Sequence, residues 1–364
     1  MEKRLRVVQW ATGHIGRRAL REVIRHPALE LVGVLVYDPA KDGVDAGELC
    51  GERPTGICAT TERAAVLALN ADCALYMPRA SGAGANRAGL CDEDLLDDVV
   101  ASLERGTNLV TTCTPLFGGC ERMGEAGRAR VLEACNRGNA SLYATGSSPG
   151  FNTDAFPFAL LSLQRHVEAV EIEEFGDLSC RDSPHMLFEQ MRFGKPLGEF
   201  DPNRRASHLL DEYGPPLRRL ADAAGLVVDE WTAFGEVAAA RHDTKIVAGE
   251  IAAGTAAAQR ATVVGRRNGV DVVSFTPYSY CTAEIDPAWD LQRSGWRMRV
   301  RGDAPLDVQI ALPFPLELLG TYVPAYSANR PVNAIPYVCA APPGIVFTED
   351  LPPITPAGPR RDGC

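Results

Sequence analysis

Along the first 150 positions, short apolar runs alternate with segments whose apolar residues recur at helical spacing. Residues 5–11 (Leu-Arg-Val-Val-Gln-Trp-Ala) predict a buried strand; over 15–26, Ile15, Leu20, Val23 and Ile24 fall on one helical face. Residues 29–37 predict a second strand. Strand, glycine turn, helix, strand is a βαβ unit, which implies a parallel sheet with a right-handed crossover. The alternation continues with a strand over 73–77, a helix over 93–105 carrying Leu95, Leu96, Val99, Val100 and Leu103, a strand over 109–112, a helix over 122–137 and a strand over 141–145. Residues 1–150 therefore predict a doubly wound α/β domain.

From Phe151 the pattern changes. A helix is expected over 154–164 and a strand over 167–175, where Val170 and Ile172 alternate with Glu171 and Glu173, so these two carboxylates should face solvent. Residues 183–225 read as helical or irregular. Strand-like runs follow at 226–239, 245–252, 258–266, 270–276, 297–301 and 306–312, predicting a second, α+β domain over 151–330 with a largely antiparallel sheet. The last segment, 331–364, opens on a short apolar helix over 333–341. It ends in a proline-rich tail from 342 that should wrap the surface or fray.

Composition narrows the class. A chain of 364 residues can hold two cores. The net charge of −10 argues against nucleic-acid or anionic-membrane partners, because phosphate binding needs a basic face. No apolar run reaches membrane-span length, and the charged start runs into a glycine turn rather than a leader cleavage site, so a cytoplasmic protein is expected. The 11 cysteines include no CxxC pair and no Cys/His cluster at zinc spacing, which predicts free, mostly buried thiols and no metal.

The strongest local signal is Ala11-Thr12-Gly13-His14-Ile15-Gly16, a G-x-G-x-x-G turn with alanine first. Such glycines allow a tight turn, the approach of a pyrophosphate and close helix–strand packing, with the phosphates on the helix N-terminus. The turn follows a strand and opens a helix, which makes the first domain a Rossmann domain for a nicotinamide dinucleotide. Asp38 ends the second strand where a carboxylate bonds the ribose 2′-hydroxyl and repels a 2′-phosphate; it favours NAD over NADP, and Lys41 nearby tempers the preference. Met77 and Pro78, and Cys113 and Thr114, follow strand ends where an open parallel sheet binds ligand, and are further cofactor candidates.

Four segments carry a family resemblance: Gln9–Gly16; Asp42–Leu49, similar to a "GxDAGEL" stretch; Thr145–Phe151, similar to a "G-x-x-PGF" link; and Val332–Pro336 with Ala340–Gly344 and Asp350–Pro352. Together they resemble the dihydrodipicolinate-reductase-like proteins of actinobacteria, related to 2,4-diaminopentanoate dehydrogenase and the native amine dehydrogenases. The resemblance implies a homodimer built through the second domain and a C-terminal segment that returns toward the cofactor cleft, with Asn333 near the nicotinamide. The His-His pair and "K-x-D-x-P-S-G-T" run of true dihydrodipicolinate reductases are missing. Where amine dehydrogenases carry a glutamate after the strand ending at Cys113, this chain has Thr114 and Pro115.

Hydride transfer needs positioning and a proton source. Glu174 and Asp177, at the end of the 167–175 strand, are candidates, although a turn carboxylate that caps backbone is the commoner reading for each. His185 precedes Phe188, Met191 and Phe193, which with Trp289 and Trp296 suggest an apolar pocket. The expected function is transfer of hydride between nicotinamide and a small, rather apolar carbonyl, imine or amine. Two alternatives stand beside it: an amine dehydrogenase using a different carboxylate, and a dinucleotide-binding sensor without turnover.

Overall fold

The structure is a computed structural model that describes residues 3–79 and 92–356. Cys91, Cys364 and the end of the proline-rich tail lie outside the described residues. The chain divides into two units, Met1–Phe151 with Val323–Cys364, and Asn152–Tyr322.

In chain order the first unit contains β1 (Leu5–Trp10), α1 (His14–Arg25), β2 (Leu29–Leu35), α2 (Ala46–Cys50), β3 (Ala59–Thr60), α3 (Arg63–Leu67), β4 (Cys73–Tyr76), α4 (Asp92–Leu103), β5 (Asn108–Thr111), the short α5 (Phe117–Cys120), α6 (Gly124–Gly138) and β6 (Ser141–Ala144). The second unit begins with α7 (Phe156–Leu161), shorter than expected. It continues through β7 (Val167–Asp177), α8 (Pro202–Ala223), β8 (Glu230–Ala240), β9 (Thr244–Ile246), β10 (Gly249–Ile251), β11 (Ala256–Arg267), β12 (Val270–Tyr280), β13 (Ile285–Asp286), β14 (Gly295–Gly302) and β15 (Leu306–Ala311). Helix α9 (Leu319–Cys339) carries the chain back to the first unit, where β16 (Gly344–Val346) follows.

The first sheet has the order β16-β6-β5-β4-β1-β2-β3, with every pair parallel. Its strands read as continuous apolar runs because both faces are covered. Leu20 and Val23 of α1 and Val332, Ile335 and Val338 of α9 pack with Val7, Val34 and Leu75 on one face. Leu95, Val99 and Leu103 of α4 and Val131 of α6 pack with Val8, Trp10 and Tyr76 on the other.

The second sheet has the order β13-β8-β11-β12-β7-β14-β15. It is antiparallel except between β12 and β7. Leu209, Tyr213, Leu217 and Leu220 of α8 cover one face, against Ile172, Val263, Phe275 and Met298. Each such buried side chain is worth about 1.5–3 kcal/mol relative to exposure.

Several expectations need correction. The run 245–252 is two strands of a hairpin, β9 and β10, rather than one. The tail from 342 does not simply wrap: residues 344–346 form the seventh strand of the first sheet, pairing with β6. The apolar helix expected over 333–341 is the end of a 21-residue helix that accommodates Pro324, Pro331 and Pro336. Glu173 does not face water. Its side chain is 12% exposed, pairs with Arg299 at 3.1 Å and accepts from the Tyr278 hydroxyl at 2.9 Å, because residues of β14 and β12 close over it. Phe193 and Trp296 are core rather than pocket lining, and Phe193 packs with Phe175 and Tyr278. The described cysteines are free; Cys58 is exposed, Cys180 and Cys339 are half-buried and the rest are buried. Among the described residues no helix is long and apolar enough to cross a membrane.

Candidate functional site

The glycine turn joins β1 to α1. Ala11, in the first glycine position, has φ +68°. A left-handed alanine costs about 1–2 kcal/mol. The buried amide of Gln9, which the sequence did not single out, donates from Nε2 to the carbonyls of Ala11 at 3.0 Å and Trp10 at 3.3 Å, and so fixes the strained peptide.

The two later glycines do different work. A Cβ on Gly16 would lie 2.2 Å from the Ala11 carbonyl oxygen, so glycine there is required by the protein's own packing. A Cβ on Gly13 would meet nothing within 4 Å. Gly13 is exposed, has φ −69° and is the N-cap of α1, with no side-chain cap and no acidic residue in the first turn. The helix thus presents uncapped N–H groups and the positive end of its dipole to an open space, the setting that binds an anion. The protein's own packing therefore places no demand for glycine at residue 13. His14 is exposed, while Thr12 is buried and Ile15 half-buried.

The packing gives a separate prediction. Gly16→Ala should cost about 1–3 kcal/mol or more through overpacking against backbone. In calorimetry the melting temperature of the first unit should fall by about 3–10 °C. An unchanged melting temperature would mean that the turn is not built as described.

Past the end of β2, Asp38 is exposed and accepts from the backbone N–H of Ala40 at 3.0 Å. Lys41 reaches back to the turn, and its Nζ donates to the Thr12 carbonyl at 3.1 Å and to Thr12 Oγ1 at 3.3 Å. The ammonium therefore lies beside the glycine turn. Met77 is buried behind the end of β4, its N–H bonded to the Trp10 carbonyl. The Cys113 thiol donates to the Pro78 carbonyl at 3.0 Å and so ties two loops together, and burial pushes its pKa up to about 12. Thr114 opens a short 3₁₀ turn.

Asn333 is half-buried on α9, one turn beyond Arg330. The Arg330 guanidinium donates to Thr145 Oγ1 at 2.8 Å, to the Tyr143 hydroxyl at 2.9 Å and to Thr348 Oγ1 at 3.4 Å. Ser327 and Ser147 share a 2.6 Å hydrogen bond. These contacts pin α9 to the carboxyl end of β6. The "GxDAGEL" stretch is also structural: the Asp45 carboxylate accepts from the N–H groups of Gly47, Thr55 and Gly56, which caps α2 and pulls its carboxyl below the usual range.

In the second unit, Glu174 is half-buried on β7 and accepts from Nδ2 of the fully buried Asn152 at 3.2 Å. The guanidinium of Arg205 on α8 interacts electrostatically with Glu174 and donates to Ser279 Oγ at 3.3 Å; burial lowers its pKa. Asp177 lies three residues on, and its Oδ1 accepts from the Ser179 N–H at 2.9 Å. That carboxylate caps a turn. His185 is exposed at the start of a short helical turn.

No family model matches the chain. It is 30% identical over 356 residues to an amine dehydrogenase of Streptomyces virginiae, covering 95% of both chains. Among solved structures, the amine dehydrogenase from Mycobacterium smegmatis superposes with a TM-score of 0.72 at 18% identity, covering 97% of this chain and 98% of that one. A probable dehydrogenase from Thermotoga maritima gives 0.52 at 13% identity, covering 95% and 92%. These structural likenesses show a shared fold.

Proposed function

The chain belongs to the amine dehydrogenase family and is an NAD(P)-dependent oxidoreductase, and we propose that it interconverts a small, rather apolar carbonyl compound and the corresponding amine through an imine. The observation that carries this reading is the contrast between Gly13 and Gly16: Gly16 is required by the protein's own packing, and Gly13 leaves open space at the uncapped N-terminus of α1. The kinship with dihydrodipicolinate-reductase-like proteins is part of the same reading, as are a cytoplasmic location and a homodimer formed through the second unit.

A nicotinamide held in the first unit would supply the hydride. The turn 11–16 would hold the pyrophosphate on the N–H groups of α1, Asp38 would accept from the adenosine ribose, and Met77, Pro78, Thr114 and Asn333 would line the remainder of the cofactor site. In the reductive direction, ammonia and the carbonyl condense to imine and water. The imine then takes a hydride at carbon and a proton at nitrogen. With no carboxylate at 114 or 115, proton transfer falls to Glu174, held by Asn152. Asp177 and His185 are the weaker candidates, since Asp177 caps a backbone N–H and His185 stands in solvent.

The experiment is NAD(P)H oxidation with small aliphatic ketones and aldehydes, with and without ammonium. Oxidation that requires ammonium supports amine formation. Oxidation without it would make the protein a carbonyl reductase, and none at all with a bound cofactor would favour the sensor.

On cofactor choice we propose NAD over NADP, because of Asp38. The Lys41 ammonium beside the turn nevertheless supports a 2′-phosphate. Lys41→Ala should therefore weaken NADPH by about two- to fivefold more than NADH, the scale of one exposed ion pair. Equal losses in a fluorescence titration would remove Lys41 from cofactor choice.

A further inference from the structure

Resting on the dinucleotide reading, we propose that the ring of Tyr37 is the platform on which the purine of the cofactor stacks, and that Asp98 is the positioning residue that holds it. Tyr37 is the first exposed residue past β2, next to Asp38 and at the carboxyl edge of the parallel sheet. Its side chain belongs to an arrangement no motif announced. Asp98 of α4 is 6% exposed, and its carboxylate is the meeting point of three donors. The Tyr76 hydroxyl donates to Oδ2 at 3.0 Å, the Tyr37 hydroxyl to the same oxygen at 3.2 Å, and Arg63 Nε pairs with Oδ1 at 2.5 Å.

The cluster divides into parts with different surroundings. Tyr76 is fully buried, with its ring 5.4 Å from that of Trp10, and is core. Tyr37 is 45% exposed although its hydroxyl is anchored on a buried carboxylate. An aromatic ring usually hides its face and offers its hydroxyl to water; here the hydroxyl is tethered to a buried carboxylate while nearly half of the residue stays exposed. A buried carboxylate is costly to keep, and burial raises the Asp98 pKa while Arg63 and the two tyrosines oppose the shift. The fold thus holds a charged hub that fixes a surface ring in one place.

Position supplies the chemistry. Trp10 ends β1, Tyr76 ends β4 and Tyr37 follows β2, with β1 between β4 and β2 in the sheet. The platform therefore stands on the same edge as the glycine turn, beside Asp38, the residue assigned to the adenosine ribose. A planar, uncharged, ring-sized partner is what an anchored tyrosine face recognises, and base–aromatic stacking is tolerant of base identity.

The test uses the full chain with NADH, followed by nicotinamide fluorescence, and ADP-ribose, which lacks the nicotinamide, followed by displacement of NADH. Tyr37→Ala should weaken both by about tenfold, in the same ratio, because the loss lies at the adenosine end. The melting temperature without ligand should stay within a few degrees of wild type. Tyr37→Phe keeps the ring and loses the tether, and should weaken both by about threefold, whereas Tyr37→Trp should restore most of the loss. Asp98→Asn should weaken ADP-ribose in the wild-type background and add nothing in Tyr37→Ala, because it acts through the ring. Unchanged affinity in Tyr37→Ala, or a loss for NADH without one for ADP-ribose, would overturn the platform while leaving the dinucleotide reading intact. Failure of wild-type protein to bind either ligand would overturn both.

Discussion

Gly13→Asp should leave a protein that melts no lower than wild type and binds no dinucleotide. The two effects have opposite signs for one geometric reason. Residue 13 is the N-cap of α1 with φ −69°, and a Cβ there has no neighbour within 4 Å. Aspartate is a better N-cap than glycine by a few tenths of a kcal/mol, so the first turn gains a partner it lacks. The same carboxylate occupies the space assigned to the pyrophosphate. Two unit charges about 4 Å apart near a protein surface repel by about 4 kcal/mol, so affinity for NADH should fall by at least about a hundredfold. A lower melting temperature together with lost binding would point to a broken turn; retained binding would move the cofactor elsewhere.

Glu174→Gln should reduce turnover by about 10²–10⁴ with little change in NADH affinity, the range typical of a lost general acid or base. The substitution suits the site. Glutamine still offers an acceptor to Asn152 Nδ2, so the 3.2 Å contact can persist while the charge and the titrating proton are lost. Asp177→Asn is the control. Its carboxylate caps the Ser179 N–H, and an amide oxygen can do the same, so activity should fall less than about tenfold. Rapid-mixing measurement of NADH oxidation separates the chemical step from binding. If Asp177→Asn were the more damaging variant, the assignment of the two carboxylates would reverse.

Much of the first unit is legible in the sequence for a plain reason. Its sheet is buried on both faces, so β1, β2, β4, β5 and β6 announce themselves as apolar runs, and the helices between them carry one apolar face. What escapes is whatever lacks length or local signal. Strand β16 is three residues long, and Pro342 and Pro343 directly precede it; it exists because β6, some 200 residues earlier, offers an open edge. Helix α9 hides behind three prolines, and its fixation by Arg330 depends on Tyr143 and Thr145, 187 and 185 residues away. Alternation along β7 places Glu173 with Glu171 correctly on one face, but it says nothing of the Tyr278 and Arg299 side chains that close over that face.

The candidate site divides in the same way. The glycine turn is local, and its spacing reveals it. Gln9 bonds the carbonyls of the next two residues, a role that no motif position marks, and Asp98 behind Tyr37 acts from 61 residues away, through a contact that no spacing encodes. The Asp45 motif shows the converse: a recognisable stretch whose aspartate holds a loop rather than a ligand.

The most direct test of the central claim is a titration of the wild-type protein with NADH and with NADPH, following nicotinamide fluorescence. Saturable binding of both is predicted, tighter for NADH and competed by ADP-ribose. Absence of a saturable signal with either nucleotide would contradict it, and the open space at Gly13 would then need another ligand.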